Sequence, residues 1–569
     1  MCHLARLSAV LGMTLLSITL LIPHPASADS GSRPVAGLPP PAAALINAFV
    51  IRYMQALGTP ALTLTLTDTE GLVHEFHYGY SNLESGEPVT AQTLFPIGSI
   101  SKAFTALLAL QFSGEKRIDI DSTIGDHLPW LDPPSSLSGI TVQHLLSHTS
   151  GLPTDRDDIP SSPYRVLAAR DLPMRTPPGE RFHYSNVGYQ LLGYLLEEVG
   201  GRPFAELLRE RVFEPVGMHA SEPAITHQAR ARIAVGYVSK YADRPPQPTD
   251  PLVPAPWFEY GDADGSVAAT AGDLAVFLRM LLNHGITPDG GRIVDEQSFR
   301  KMTTCATPPR GPSCHGLGLE IGAQGTIGHY GAMIGHSAQM LGDLPNGIGA
   351  VVMLNGPGDP TAVAAFALEV LRASRARAPL PRLPRIDPTR VPHAAQYAGR
   401  YRSPDGDGFD LMARGGRLYL VQGNRSVRLL RRGEDRFLAP IPRFEQFLLG
   451  FERSAGTVTH ATHGAQWFAN ARYPGQWEFD LPEDWLAYPG RYQSWSPWIP
   501  ERRVIHRRGQ LLLIQPGGRE QRLEPLEHTG WFRVPEAQGG ETVHFRDVVD
   551  GRALRANVDG VDLYRSALR

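Results

Sequence analysis

Phe95-Pro96-Ile97-Gly98-Ser99-Ile100-Ser101-Lys102 runs into the apolar stretch Ala103 to Phe112, which puts a serine and a lysine at the mouth of a predicted buried helix. Gly98 allows a tight backbone turn just ahead of it. Three positions apart on a helix, Ser99 and Lys102 share a face. At the helix start Ser99 also sits among unpaired N–H groups and the positive dipole end, which suits a developing oxyanion. A serine hydroxyl is a weak nucleophile until a base takes its proton. Lysine can be that base once burial or nearby charge lowers its pKa, whereas arginine stays protonated. The chain otherwise uses arginine: of its 54 Lys and Arg residues only Lys102, Lys116, Lys240 and Lys301 are lysines. The competing reading makes Ser99 a helix N-cap and Lys102 a surface charge.

Two further clusters carry chemistry. Tyr184-Ser185-Asn186 lies where Pro177-Pro178-Gly179 ends a loop and a helix begins. A tyrosine whose pKa is lowered by a neighbouring Lys⁺ can shuttle a proton between serine and leaving group. Asn186 can hydrogen-bond a substrate amide, although Ser185 or Asn186 also suits a simple N-cap. Gly328-His329-Tyr330-Gly331-Ala332 reads as a Gly-rich strand beside the predicted strand Ile348–Leu354. Such an edge lets a substrate backbone pair with it. The Ala332 N–H is a candidate second oxyanion donor beside that of Ser99. His329 is a candidate to polarise the site or to hold a carboxylate.

The ordered set Ser99-x-x-Lys102, Tyr184-Ser185-Asn186 and His329-x-Gly331 resembles the penicillin-recognising serine hydrolases. That family includes class C β-lactamases, D-alanyl-D-alanine carboxypeptidases, D-aminopeptidases and related esterases. His144-Leu145-Leu146-Ser147-His148-Thr149-Ser150-Gly151-Leu152-Pro153 and Gly265-Ser266-Val267, ahead of the Asp273 helix, are similar to its accessory segments. Over roughly residues 40–375 the resemblance implies an α/β (α+β) β-lactamase/transpeptidase-like domain, an antiparallel sheet flanked by helices plus an all-helical region. It implies acyl transfer through acyl-Ser99, with Lys102 and Tyr184 sharing the proton work and no metal or organic cofactor. Asn186, His329, Tyr330 and Gly331 would meet a small-molecule or short peptide substrate. One departure bears on that substrate. The family's best-known members carry Lys-Thr-Gly as third motif, its lysine holding a substrate carboxylate, where this chain has His329-Tyr330-Gly331. The third motif resembles D-aminopeptidase and esterase members instead, and the two small β-repeats described next resemble the pair that follows the catalytic domain in D-aminopeptidases. β-Lactamase or carboxypeptidase activity is the alternative within enzymes. A non-catalytic penicillin-binding-type sensor is the alternative outside them, and intact Ser99, Lys102 and Tyr184 argue against it. An α/β-hydrolase is rejected, because no Gly-x-Ser-x-Gly elbow surrounds Ser99.

Around this core the 569 residues divide by composition. Arg6 and the apolar run Leu7–Ile22, ending at Ala26-Ser27-Ala28, read as an export signal over residues 1–28. At about 16 residues the run is short for a membrane span, so a periplasmic or extracellular protein of bacterial type is expected. Residues 29–44 read as a flexible lead-in, 45–374 as the hydrolase domain, and 375–393 as a Pro/Arg linker with little to bury. Beyond it the chain repeats itself. Tyr397-Ala398-Gly399-Arg400-Tyr401 recurs as Tyr488-Pro489-Gly490-Arg491-Tyr492, 91 positions later. Phe437, Phe451 and Gly456 have counterparts in Phe532, Phe545 and Gly551. The period predicts two barrel-like all-β repeats, 394–480 and 481–569. Cys305 and Cys314 are candidates for a disulfide in an oxidising compartment, with metal binding the weaker reading. Nothing in the charge balance, a formal net −3, suggests a nucleic-acid surface or polybasic membrane patch, and no later stretch is long and apolar enough for a membrane span.

Overall fold

The structure, a computed structural model, describes residues 37–129, 137–155, 176–308, 313–535 and 541–566, with 164, 167, 168 and 170 between them. The export signal and Cys2 lie outside the described residues.

Period-two alternation explains the sheet. Along β1 (Ala61–Asp68) Leu62, Leu64 and Leu66 point to one core while Thr63, Thr65 and Thr67 face the other way. β2 (Leu72–Asn82) returns antiparallel after a turn in which Asp68 Oδ1 accepts from the N–H groups of Glu70 and Gly71, at 2.8 and 3.0 Å. β3 (Glu87–Pro88) completes this edge. The rest of the sheet comes from much later in the chain: β4 (Cys314–His315), β5 (Glu320–Ile321), β6 (Thr326–Met333), β7 (His336–Asp343) and β8 (Ile348–Leu354). The order is β3-β2-β1-β8-β7-β6-β5-β4, so the two edges come from opposite ends of the segment and β1 pairs β8 in the middle. Both faces of β8 are buried: Ile348, Ala350, Val352 and Leu354 on one side, Val351 and Met353 on the other. Hence its unbroken apolar run.

Helices cover both faces. α1 (Pro40–Leu57) and α5 (Pro360–Arg375) pack on the Leu62–Leu66 side. Helical structure thus begins at Pro40, inside the segment read as a flexible lead-in, because Ala42, Ile46, Phe49 and Val50 recur at helical spacing and are buried. The other face takes α2 (Ser101–Gly114), α3 (Asn186–Gly200) and α4 (Ala271–Leu282) in one core. Ser185 and Thr270 cap α3 and α4 through their side chains, and Gly201 (φ +70°) ends α3 in the left-handed region.

The stretch after α5 departs from expectation. Leu380, Leu383 and Ile386 pack against the α1/α5 core, so this linker is tied down. After it comes a nine-stranded antiparallel sheet within Gly399–Ala469, then a closed barrel of eight strands within Gly490–Arg565. In the first, the end strands are Arg425–Arg428 and Leu430–Gly433, separated in sequence by Leu429 alone, so the sheet curls round to a single open seam. The repeat is structural as well as textual. Tyr401 Oη donates to the Tyr397 carbonyl at 2.8 Å, and Tyr492 Oη to that of Tyr488 at 2.7 Å. Tyr397 packs edge-on against Phe437 and Phe451, while Tyr488 contacts Phe532 and Phe545.

Cys305 and Cys314 are joined as a disulfide with Cα atoms 5.6 Å apart. Among the described residues no helix is long and apolar enough to cross a membrane.

Candidate active site

Ser99 lies in a single 3₁₀ turn, Gly98–Ile100, that feeds α2, and it makes no capping hydrogen bond. Its Oγ instead accepts from Lys102 Nζ at 3.2 Å. Lys102 is fully buried and not a surface charge. Its ammonium also donates to the Asp264 carbonyl at 2.8 Å and lies 4.9 and 5.5 Å from the ring centres of Tyr184 and Tyr189. Burial pulls its pKa from 10.5 down to about 8, with the fields of Asp264 and Asp155 acting against that. The segment carrying Asp264 is fastened to α2: Thr105 Oγ1 donates to the Ala263 carbonyl at 2.6 Å, and Ser101 Oγ accepts from Val267 N–H at 3.1 Å.

Two glycines bring β6 against this turn. Gly98 has φ +51°, and a methyl group there would sit 2.7 Å from the Ala332 nitrogen. A side chain on Gly331 would collide with the Ile97 carbonyl oxygen. The sequence therefore needs glycine at both places for Ser99 and Ala332 to face one cavity. β5 pairs β6 at Ile327 and Gly328, and among the described residues no strand lies beside that edge of β6 from His329 onward.

The third wall is the start of α3, held by the turn that follows His144–Leu146. Ser185 N–H donates to His148 Nδ1 at 3.1 Å, and Ser185 Oγ to the Pro153 carbonyl at 2.7 Å. The His148 ring stacks on Tyr184, centres 4.2 Å apart. Burial, then the fields of His315 and Lys102, hold His148 well below the usual histidine range. Tyr184 hydrogen-bonds Ser99, but burial is the larger influence and pushes the phenol well above its usual pKa. The expected lowering by lysine is thus overturned. Tyr184 is a neutral hydroxyl, able to relay a proton but not to stand as a phenolate.

These pieces enclose a cavity of about 340 Å³ lined by Ser99, Tyr184, Asn186, His329, Tyr330 and Ala332 together. Asp155, Asp264, Glu320, Tyr260 and Trp498 also line it without having been marked by the sequence, as does His315, noted there only as a neighbour of the two cysteines. Asp264 adjoins the quoted Gly265-Ser266-Val267. Trp498 comes from the C-terminal barrel, and nothing in its local sequence marks it. No lysine or arginine is among the described lining residues.

His329 corrects a second expectation. Burial, then the field of Lys102, brings its pKa down to about 3, so the ring is neutral. Nδ1 lies 2.5 Å from the Tyr330 carbonyl, which can only accept, so the proton is on Nδ1 and Nε2 presents a lone pair. A neutral acceptor cannot hold a carboxylate. Asn186 is oriented by the same logic: Nδ2 donates to Asp155 Oδ1 at 2.7 Å, which leaves Oδ1 as an acceptor. Both Asn186 Oδ1 and His329 Nε2 are buried without a hydrogen-bond partner among the described residues. Glu320 adds a carboxylate, its pKa raised by burial.

The family model described as Beta-lactamase matches residues 46–374. The chain belongs to this family. Penicillin-binding protein 4 of Amycolatopsis lactamdurans is 31% identical over 242 residues, 41% of this chain and 62% of that protein. Protein flp of Staphylococcus aureus (strain COL) is 25% identical over 288 residues, 49% of this chain and 56% of its own length. The match thus spans less than two thirds of these curated relatives. Among solved structures, the octameric penicillin-binding protein homologue from Pyrococcus abyssi superposes with a TM-score of 0.55 at 26% identity, over 75% of this chain and 99% of that one. The chain is therefore placed in the serine β-lactamase and penicillin-binding-protein family.

Proposed function

We propose that the chain is an exported serine hydrolase, D-aminopeptidase- or esterase-like, that cleaves small amides or esters through acyl-Ser99. Unprotonated Lys102, 3.2 Å from Ser99 Oγ, takes the serine proton as Oγ attacks the carbonyl carbon. The Ser99 and Ala332 N–H groups receive the oxyanion. The Tyr184 hydroxyl passes the proton to the departing amine or alcohol as the carbonyl–heteroatom bond breaks. Water then attacks the acyl-Ser99 ester, gives its proton back along the same route, and frees the acid.

The observation that carries the substrate class is the acceptor-rich cavity. Asp155, Asp264, Glu320, Asn186 and His329 all line a space with no lysine or arginine among its described lining residues. Such a surface repels a substrate carboxylate and favours a hydrogen-bond donor, above all a primary ammonium on the acyl part. This supports an amino-acyl substrate over a β-lactam or a peptide C-terminus. The Cys305–Cys314 disulfide supports export, since such bonds persist in oxidising compartments. Full-length protein and Ser99→Ala are to be assayed on D-alanine p-nitroanilide, its N-acetylated form, p-nitrophenyl acetate and a chromogenic cephalosporin. Ser99-dependent turnover should be fastest on the free-amine anilide or the ester. Faster turnover of the cephalosporin would sink the substrate assignment.

A further inference from the structure

The buried carboxylate of Asp559 belongs to a unit that the Ser-Lys-Tyr chemistry does not require. It sits in the turn between the last two barrel strands, Arg552–Val558 and Val561–Arg565, only 5% exposed and with φ +48°. Its backbone N–H is tied to the Thr542 carbonyl at 2.9 Å. Its side chain leaves the barrel: Oδ2 accepts from Thr154 N–H at 3.0 Å, 405 positions earlier, and lies 3.3 Å from Nε2 of buried His183.

Both partners are the supports of the α3 wall. The Thr154 carbonyl accepts from Asn186 N–H at 2.8 Å, and Thr154 Oγ1 donates to the Tyr184 carbonyl at 3.0 Å. The next residue, Asp155, orients the Asn186 amide. His183 N–H donates to the His148 carbonyl at 2.7 Å, and His148 stacks on Tyr184. One carboxylate therefore grips, one bond away, both strands of chain that fix Tyr184 and Asn186. It is enclosed, so its hydrogen bonds are not shared with bulk water.

We propose that Asp559 is a positioning residue for the Ser99 site: the terminal barrel latches the Thr154 and His183 segments and so sets Tyr184 and Asn186 at the nucleophile. This rests on the Ser99-hydrolase reading, and the test separates the two. Full-length Asp559→Asn, which keeps shape and one acceptor oxygen, and Asp559→Ala, which keeps neither, are compared with the native chain. The first readout is the rate of Ser99 labelling by a fluorophosphonate. The second is hydrogen exchange in peptides covering 150–155 and 183–187, with a thermal melt to establish folding.

Labelling should slow in the order native, Asn, Ala, by about tenfold or more for Ala. With p-nitrophenyl acetate the loss should fall on kcat, KM changing less than about threefold. Exchange in those two peptides should quicken in the same order while the rest of the barrel is unchanged. Should Asp559→Ala not fold, the isosteric Asn variant decides by the same two readouts. Native labelling rates in the variants, or slowed labelling with unaltered exchange, overturn the latch. A native chain that takes no fluorophosphonate overturns the hydrolase reading instead, and exchange alone then decides whether Asp559 holds the wall.

Discussion

Raising the pH through the titration of Lys102 should switch on acylation. With its pKa drawn to about 8, the amine is neutral in roughly one molecule in eleven at pH 7 and in half at pH 8. For a substrate with no charge of its own, kcat/KM should climb about tenfold from pH 7 to a plateau above pH 9. The assay is p-nitrophenyl acetate hydrolysis from pH 6 to 10, with the Ser99→Ala rate subtracted. Lys102→Arg keeps the charge but cannot release a proton, and should lose on the order of 10²-fold or more. The same shift has a stability consequence. From pH 8 to 10.5 the unfolded chain holds a proton on this amine that the folded chain has released, so native stability rises with pH across that window. Below pH 8 both states carry it, and holding the buried amine at about 8 instead of 10.5 costs the fold on the order of 3 kcal/mol. Lys102→Met should therefore unfold at higher urea than the native chain at pH 7, with the gap closing by pH 10.5. A flat rate profile, or an inflection near 10.5, would refute the buried-base assignment.

Three further outcomes are expected. Glu320→Gln removes one carboxylate from the cavity, and should raise KM about tenfold for a free-amine substrate while leaving its N-acetylated analogue unchanged. Gly331→Ala drives a methyl group into the Ile97 carbonyl, and should lower both denaturant midpoint and kcat, by about 1–3 kcal/mol of stability. Cys305→Ser with Cys314→Ser opens a loop with a sequence separation of 9. It should destabilise by about 2–3 kcal/mol on the chain-entropy account, measured by urea titration.

Much of the fold was legible because it is written in local patterns. The alternation of Leu62–Thr67, the apolar runs of α2 and β8, and the 91-residue offset between Tyr397 and Tyr488 each map onto an element or a repeated packing arrangement. The lead-in hides part of a helix, because its small residues conceal a helical stripe from Ala42 to Val50 whose partner, α5, lies over 300 residues away. The linker reads as having little to bury because Leu380, Leu383 and Ile386 look isolated until the core they pack against is assembled.

The nucleophile's neighbourhood is written locally in the chain. Ser99 and Lys102 are bound by helical spacing, and Gly98 lets the backbone turn just ahead of them; the need for glycine at 331 arises only where β6 meets the Ile97 carbonyl. What that neighbourhood can do depends on packing. Protonation follows from burial, which no residue carries in its own identity: it leaves Tyr184 a neutral hydroxyl, makes His329 an acceptor and brings Lys102 toward neutrality. The cavity's acid lining and its support come from segments far apart in the chain, Asp155 and Glu320 within the catalytic unit, Trp498 and Asp559 from the last barrel. Contacts across 405 positions leave no local trace, because only the closed chain brings them within hydrogen-bond distance.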